Sequence, residues 1–447
     1  MAVTHWWLGA ATATTATVVC RSNSTATVTV ACNGGTFTGS ANTGTKDGIV
    51  AVTVTGLSAD SQYAYTIDGA VGGTLKTQPA SGDVWIATGS CWHGDRRDVL
   101  ADIVRQQYDL DLYIALGDFP YCETTYTQGG ETGVSVAASV ANSKDSSLYY
   151  KQHRIFRLIP GIKELMRNVP FMYMADDHEY PMDDAGPTYL TQYQAEVTGA
   201  GAALQADLDA AWTAARTAIA AYSTGFTPAS GYDSDALYGT YSLPNVDVFL
   251  IDCINYRSSP TATDNASKTM LGTNQKTWLL AAVAASSKPF KLIATGKQLF
   301  KGGGNTDTFV PVGVNLGYLT ERNEILYGLR NVTGVLWVAG DQHLWSDQWV
   351  AADVIGAGYP AVNCLCACPT SVDLNTTGVA GYDTGVRSKV NGYPQATSVL
   401  RDAVVGLFRF SEDRAYRYLY SMRRGLIPCG YVEAGSNAVS YSATRVG

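Results

Sequence analysis

Through the first 79 positions, apolar and polar residues alternate at every second place, as in TATVTVAC, IVAVTVTGL and YAYTIDG, with Gly, Asn and Asp between the runs. β-Branched residues at period two, bounded by turn formers, predict a small antiparallel β-sandwich over residues 1–79. QPASGD, from Gln78 to Asp83, reads as the linker that follows it. From Val84 the pattern changes to short unbroken apolar runs, VWIATG, LYIAL, FMYMA, VDVFLI, FKLIAT and VLWVA, separated by stretches with helical character. That alternation predicts an α/β domain over residues 80–447, its sheet covered by helices. The expected helices are DRRDVLADIVRQQY, a stretch from Leu148 to Met166 broken near Pro160-Gly161, an Ala-rich stretch from Tyr193 to Tyr222, and segments around Asn274–Ala285 and Thr320–Leu329. LFRFSEDRAYRYLYS reads as a hairpin, and the Gly-rich stretch from Cys122 to Lys144 as a long loop.

Four of the apolar runs stop at a residue able to bind metal: Cys91, Asp118 with Tyr121 three places on, Asp177, and Asp341 with His343 two places on. The carboxyl ends of α/β strands border the binding crevice, so these ends predict one shared site. A centre that activates water needs a bridging carboxylate, further ligands and an open position; Asp118 is the natural bridge. The thiolate of Cys91 and the phenolate of Tyr121 favour a strongly Lewis-acidic ion such as ferric iron, with His343 completing its shell. Asp177, Asp183 and Asp184 suit a second, hard cation such as calcium, magnesium or manganese. His178 is placed to protonate a leaving oxygen while a neighbouring carboxylate orients it, the attacking group being a metal-activated hydroxide. Arg257, shortly after the Asp252 strand end, is expected to grip a phosphate oxygen, with Lys297 as a weaker candidate. Asp252 itself reads as a loop cap.

Composition narrows the partners. With 447 residues, 46% of them apolar, the chain has ample core for two or three domains. A formal charge of −8 argues against a stable nucleic-acid complex, whose affinity comes from Lys and Arg on phosphates, but is compatible with a small phosphate ester held by metal. No run reaches the ~18 apolar residues of a membrane span. The N-terminus has no basic start and a Thr-interrupted apolar stretch, so it does not read as a signal peptide. The expected setting is intracellular or particle-associated, or exported with the signal removed. Of nine cysteines, Cys364, Cys366 and Cys368 share one face of a strand and read as packed small apolar residues. Spacing leaves a Cys20–Cys32 bridge open.

GSC at Gly89–Cys91, GD-x-x-Y at Gly117–Tyr121, DDHE at Asp176–Glu179 and GD-x-H at Gly340–His343 together resemble the PhoD-like alkaline phosphatases, metallophosphoesterases with a calcineurin-like fold. The resemblance implies a four-layer α/β/β/α core preceded by a β-sandwich. It implies hydrolysis of phosphomonoesters, phosphodiesters or both at a dinuclear or trinuclear site holding Fe3+ and Ca2+, with Zn2+, Mn2+ or Mg2+ as alternatives. Carried over by motif, Cys91, Asp118, Tyr121 and His343 match the iron positions, Asp177 and Asp341 the calcium side, and Asp118 bridges. Two departures stand out: Asp183 and Asp184 replace an Asn expected after DDHE, and Arg257 stands where two arginines are expected. They motivate a second reading, a structural or binding component of a surface or particle that keeps the fold with little turnover.

Overall fold

The computed structural model describes residues 3–41, 46–92, 99–300, 307–309, 317–341, 346–350, 352–353, 355–366, 387–388, 404–421 and 425–440. The N-terminal region folds as β1 (Val3–Ala11), β2 (Ala16–Ser22), β3 (Thr27–Cys32), β4 (Gly35–Ser40), β5 (Ile49–Val54), β6 (Gln62–Ile67) and β7 (Ala70–Lys76). These make two antiparallel sheets, ordered β1-β2-β5 and β4-β3-β6-β7. Leu8, Val18 and Val52 from one sheet share a core with Val28, Val30, Tyr65 and Leu75 from the other. Cys20 and Cys32 lie in different sheets as free buried thiols, so the bridge left open by their spacing is not formed.

After this come β8 (Val84–Gly89), α1 (Val99–Gln107), β9 (Leu112–Leu116), β10 (Thr127–Gln128), β11 (Glu131–Thr132), α2 (Val140–Ser143), α3 (Ser146–Phe156), α4 (Pro160–Asn168) and β12 (Phe171–Met174). The chain continues through α5 (Leu190–Glu196), α6 (Gln205–Tyr222), β13 (Thr227–Pro228), β14 (Gly239–Ser242), β15 (Val246–Ile251), α7 (Gly272–Ala285), β16 (Phe290–Thr295), α8 (Leu319–Gly328) and β17 (Val335–Ala339). It ends with β18 (Ser346–Val350), β19 (Val362–Cys366), β20 (Arg387–Ser388), β21 (Val404–Phe410), β22 (Arg414–Ser421), β23 (Gly425–Glu433) and β24 (Val439–Ser440). Among the described residues, no helix is long and apolar enough to cross a membrane.

The strands after residue 80 form two large sheets, where the alternation of runs by itself suggests one and the family resemblance implies two. One runs β12-β9-β8-β21-β22-β23-β24, the other β13-β14-β15-β16-β17-β19-β18-β20. β9, β12, β16, β17 and β19 are buried at every position, on both faces, which is why their runs are unbroken. In β9, Leu112, Ile114 and Leu116 join a core shared with Val248, Leu292 and Leu336 of the other sheet. Tyr113 and Ala115 face the opposite way, into a cluster with Val104 of α1, Leu165 of α4 and Ala215 of α6. The second sheet's other face, through Phe249 and Ile293, packs on Trp278 of α7 and Ile325 of α8.

Three local expectations change. Pro160 does break the helical stretch, but by starting α4, where its missing N–H has no intrahelical partner to lose. The stretch from Cys122 to Lys144 is not open loop: it carries the β10–β11 ladder, and Gln152 pins it by donating to the carbonyls of Thr124 (2.6 Å) and Val134 (3.2 Å). Gln78, read as linker, is buried; its amide donates to Ala11 O at 2.6 Å and to Tyr241 Oη at 2.7 Å, fastening the N-terminal sheets to β14.

Candidate metal centre

Register brings the strand ends together. In the first sheet Gly89 of β8 lies opposite Ala115 of β9, and Leu116 opposite Met174 of β12, all parallel. The chain leaves these strands as Ser90-Cys91, Gly117-Asp118 and Asp176-Asp177. In the second sheet Thr295 lies opposite Ala339, releasing Gly296-Lys297 and Gly340-Asp341 side by side. Two glycines let these ends meet. A Cβ on Gly117, whose φ is +93°, would stand 2.4 Å from Asp176 Cβ; one on Gly340 would stand 2.7 Å from Ser90 Cβ and 2.8 Å from Leu116 O. Cys91, Asp118, Asp184 and Asp341 all adopt left-handed backbone, with φ of +60°, +52°, +51° and +70°. Such strain in non-glycine residues persists only where the surroundings hold it, and it gathers at functional sites.

Single oxygens of Asp118, Asp176, Asp177 and Asp341 lie within 4.8 Å of one another, as do those of Asp177, Asp184 and Asp307. Asp177 and Asp183 form a third such group with a ring nitrogen of His178. Asp118 is 1% exposed, and among the described residues no hydrogen-bond donor reaches either of its oxygens. Burial first, then the nearby Asp177 and Asp341, push its pKa up to about 7 against the pull of His178 and Lys297. Lys297 Nζ stands 3.1 Å from Asp176, 3.0 Å from Asp177, 2.9 Å from Asp341 and 2.5 Å from Asp307. Burial opposes ionisation of Asp177, but Lys297, His178 and Arg257 outweigh it and hold that carboxyl well below its ordinary range. Asp176 goes the other way, raised by burial and by its anionic neighbours in spite of Lys297.

Glu179 fixes the frame. Its carboxylate accepts the backbone N–H groups of Asp118 (3.2 Å), Phe119 (2.7 Å) and Asp176 (2.8 Å), tying the end of β9 to the end of β12. His178 Nδ1 donates to Glu123 Oε1 at 2.7 Å, its Nε2 lies 3.8 Å from Asp183, and its ring sits 4.3 Å from that of Tyr121. Burial would deprotonate His178, yet Asp118 and Glu123 outweigh it and keep the imidazole charged.

Residues 84–363 match the family described as PhoD-like phosphatase, a span covering more than half the chain. The chain belongs to the PhoD-like phosphatase family. Among solved structures it is similar to PhoD, with a TM-score of 0.69 and 14% identity, covering 95% of this chain and 91% of that one. It is also similar to purple acid phosphatase PPD1 from yellow lupin (Lupinus luteus) seeds, with a TM-score of 0.58 and 12% identity, covering 96% and 73% of the two chains. At these identities the likeness shows the fold, a mixed α/β architecture. No curated protein matches the chain by sequence.

Within this PhoD-like frame the predicted residues divide. Asp118, Asp177 and Asp341 converge in the carboxylate group. Cys91 is buried beside that group's frame, its N–H donating to Gly117 O at 3.2 Å and its Sγ 3.1 Å from Ser90 Oγ, but it lies outside the three groups above. Tyr121 is buried against His178, and His343 lies outside the described residues. The side chain of Asp183 is 57% exposed and reaches towards His178. Asp184 donates its N–H to Asp177 Oδ2 at 2.8 Å; burial, Asp307 and Asp177 raise its pKa to about 8. Arg257 and Lys297, expected beside a phosphate, are both enclosed by groups of the chain. Arg257 is fully buried, with Nη1 3.2 Å from Asp307 and Nη2 donating to Ala185 O, and Lys297 is enclosed by carboxylates. Asp252 does cap its loop, accepting the N–H groups of Ile254 and Asn255.

Three residues of this cluster escaped sequence reasoning. Glu123, rather than the adjacent Glu179, orients His178; its signal was its position in GDFPYCE, five residues after Asp118. Asp176 was read only as part of a motif. Asp307 sits in KGGGNTDTF, where no strand end marks it.

Proposed function

We propose that this chain is a metal-dependent hydrolase of small phosphate esters, acting on monoesters, diesters or both. The observation that carries this reading is Asp118. A carboxylate this buried, without a hydrogen-bond donor among the described residues and held in strained backbone where five strand ends converge, is costly unless a cation accepts it. The donor set on that side, Asp118 with the Cys91 thiol, the Tyr121 phenol and His343 by motif, suits ferric iron, with Zn2+ or Mn2+ as replacements. When bound, the metal supplies Lewis acidity and lowers the pKa of water towards neutrality.

The protein's own groups supply the rest. His178 keeps its Nδ1 proton on Glu123, which leaves the Nε2 proton to be given to a departing alkoxide. Asp183, beside Nε2 and exposed, draws the ring towards the open side. Glu179 keeps Asp118 in place as charge builds. The three cores support a four-layer α/β/β/α arrangement, and the family match starting at residue 84 supports a division near residue 79 between an N-terminal β-sandwich and the catalytic domain. A calcium site on Asp177, Asp183 and Asp341 has a resident competitor, because Lys297 already bonds two of the three.

The test is turnover of an aryl phosphate and an aryl phosphodiester by protein supplied with iron and calcium. The reading expects hydrolysis that Asp118→Asn abolishes. Equal, background rates for both proteins would favour the structural or binding component instead.

A further inference from the structure

We propose that Lys297 is a built-in cation: its ammonium stands where a second metal ion would have to sit, so the centre takes one metal ion, on the Asp118 side. This rests on the metal-dependent reading above and narrows it.

The placement follows from the fold. β16 and β17 are parallel neighbours in register, so the second residue past each strand, Lys297 and Asp341, emerges at the same level. The opposing sheet brings Asp176 and Asp177 to the same point, and the segment after residue 306 adds Asp307. Lys297 is completely buried, with four carboxylates around three N–H donors. A buried ammonium is tolerated only when paired, and this one is paired on every side it can donate to.

The same oxygens cannot serve a metal as well. Magnesium and calcium bind carboxylate oxygens at roughly 2.0–2.6 Å. An ion ligated by Asp177 and Asp341 would therefore fall within the space that Nζ fills, 3.0 and 2.9 Å from those oxygens. Asp307 is further committed, since Arg257 Nη1 also lies 3.2 Å from it. Of the buried carboxylates here, Asp176, Asp177, Asp307 and Asp341 pair with Lys297 and Glu179 accepts three backbone N–H groups; among the described residues Asp118 alone has neither kind of partner. The vacancy in bonding therefore lies at Asp118. For Lys297 to grip a phosphate instead, it would have to leave four carboxylates at once.

The experiment is calorimetric titration of Mn2+ into the full chain, stripped of metal with chelator, for wild type, Lys297→Asn and Lys297→Met. Wild type is expected to show one tight site. Lys297→Asn, which removes the ammonium and leaves room and an amide oxygen, is expected to show two. Thermal unfolding gives a second readout: millimolar Ca2+ should raise the melting temperature of Lys297→Met and leave that of wild type unmoved. Two tight sites in wild type, or a rise in the wild-type melting temperature with millimolar Ca2+, would overturn the proposal, and neither result depends on how well the variants fold. Turnover separates the two claims. One site without hydrolysis contradicts the enzyme but not the lysine; two sites with hydrolysis contradicts the lysine but not the enzyme.

Discussion

His178 Nδ1 lies 2.7 Å from Glu123 Oε1, joining the turn after β12 to the loop after β9. The contact holds the imidazole against the ring of Tyr121, 4.3 Å between centroids, and occupies Nδ1. If His178 gives its Nε2 proton to the leaving oxygen, its loss must hurt poor leaving groups most. His178→Ala is expected to slow an alkyl phosphate by about 10²–10⁴-fold and p-nitrophenyl phosphate by much less. Glu123→Gln should show the same ranking with smaller losses. Equal losses on both substrates, measured as kcat at saturating substrate, would mean that His178 binds rather than protonates.

Glu179 is a positioning residue, and its replacement should be felt in folding as well as in turnover. Glu179→Ala leaves the N–H groups of Asp118, Phe119 and Asp176 without their acceptor in a buried place. About 1–3 kcal/mol for each unsatisfied group is the expected scale, reduced by whatever water enters. Urea unfolding of the metal-free protein measures it; an unchanged midpoint would show that the two strand ends are held by other contacts.

Gly117→Ala tests the close approach directly. The added methyl would overlap Asp176 Cβ, 2.4 Å away, and the residue would have to hold a φ of +93°. A loss of roughly 2–4 kcal/mol is expected, together with weaker metal binding, since Asp118 is the next residue. Differential scanning calorimetry and a Mn2+ titration of the same sample read both effects. Normal metal affinity in a destabilised protein would uncouple the glycine from the site.

Away from the centre, two buried histidines set a dependence on acid. Burial first, then Arg154 and Arg21, lowers the pKa of His5 to about 3; burial, Arg157 and Arg154 lower that of His153 well below the ordinary 6.5. Between 6.5 and about 3 the unfolded chain therefore binds protons that the folded chain refuses. Their effect is absent above pH 6.5, and below it stability falls with pH, by at most about 1.4 kcal/mol per unit for each histidine. His5→Gln and His153→Gln should flatten the slope of melting temperature against pH on the acid side of neutrality. Slopes parallel to wild type in both variants would show that other groups govern acid unfolding.

Much of this was legible in the sequence, because strands buried on both faces write themselves as unbroken apolar runs and because register, once such runs are parallel, aligns their ends. Asp118, Asp177 and Asp341 could be found in that way. What the runs do not encode is which sheet each strand joins, so the meeting of two sheets over Gly117 and Gly340 was hidden. Asp307 was invisible for a related reason: it reaches the centre from a Gly-rich segment with no periodicity. Lys297 was visible, but its partners were not. A lysine at a strand end near a phosphate site suggests a grip on the substrate, and only the positions of Asp176, Asp177, Asp307 and Asp341 show that its charge is already spent.

A metal ion anchored on Asp118 is open to elemental analysis of untagged protein purified without chelator. About one transition-metal ion per chain is expected in wild type and almost none in Asp118→Asn. Wild type free of metal even after reconstitution, or an Asp118→Asn protein that holds as much as wild type, would contradict it.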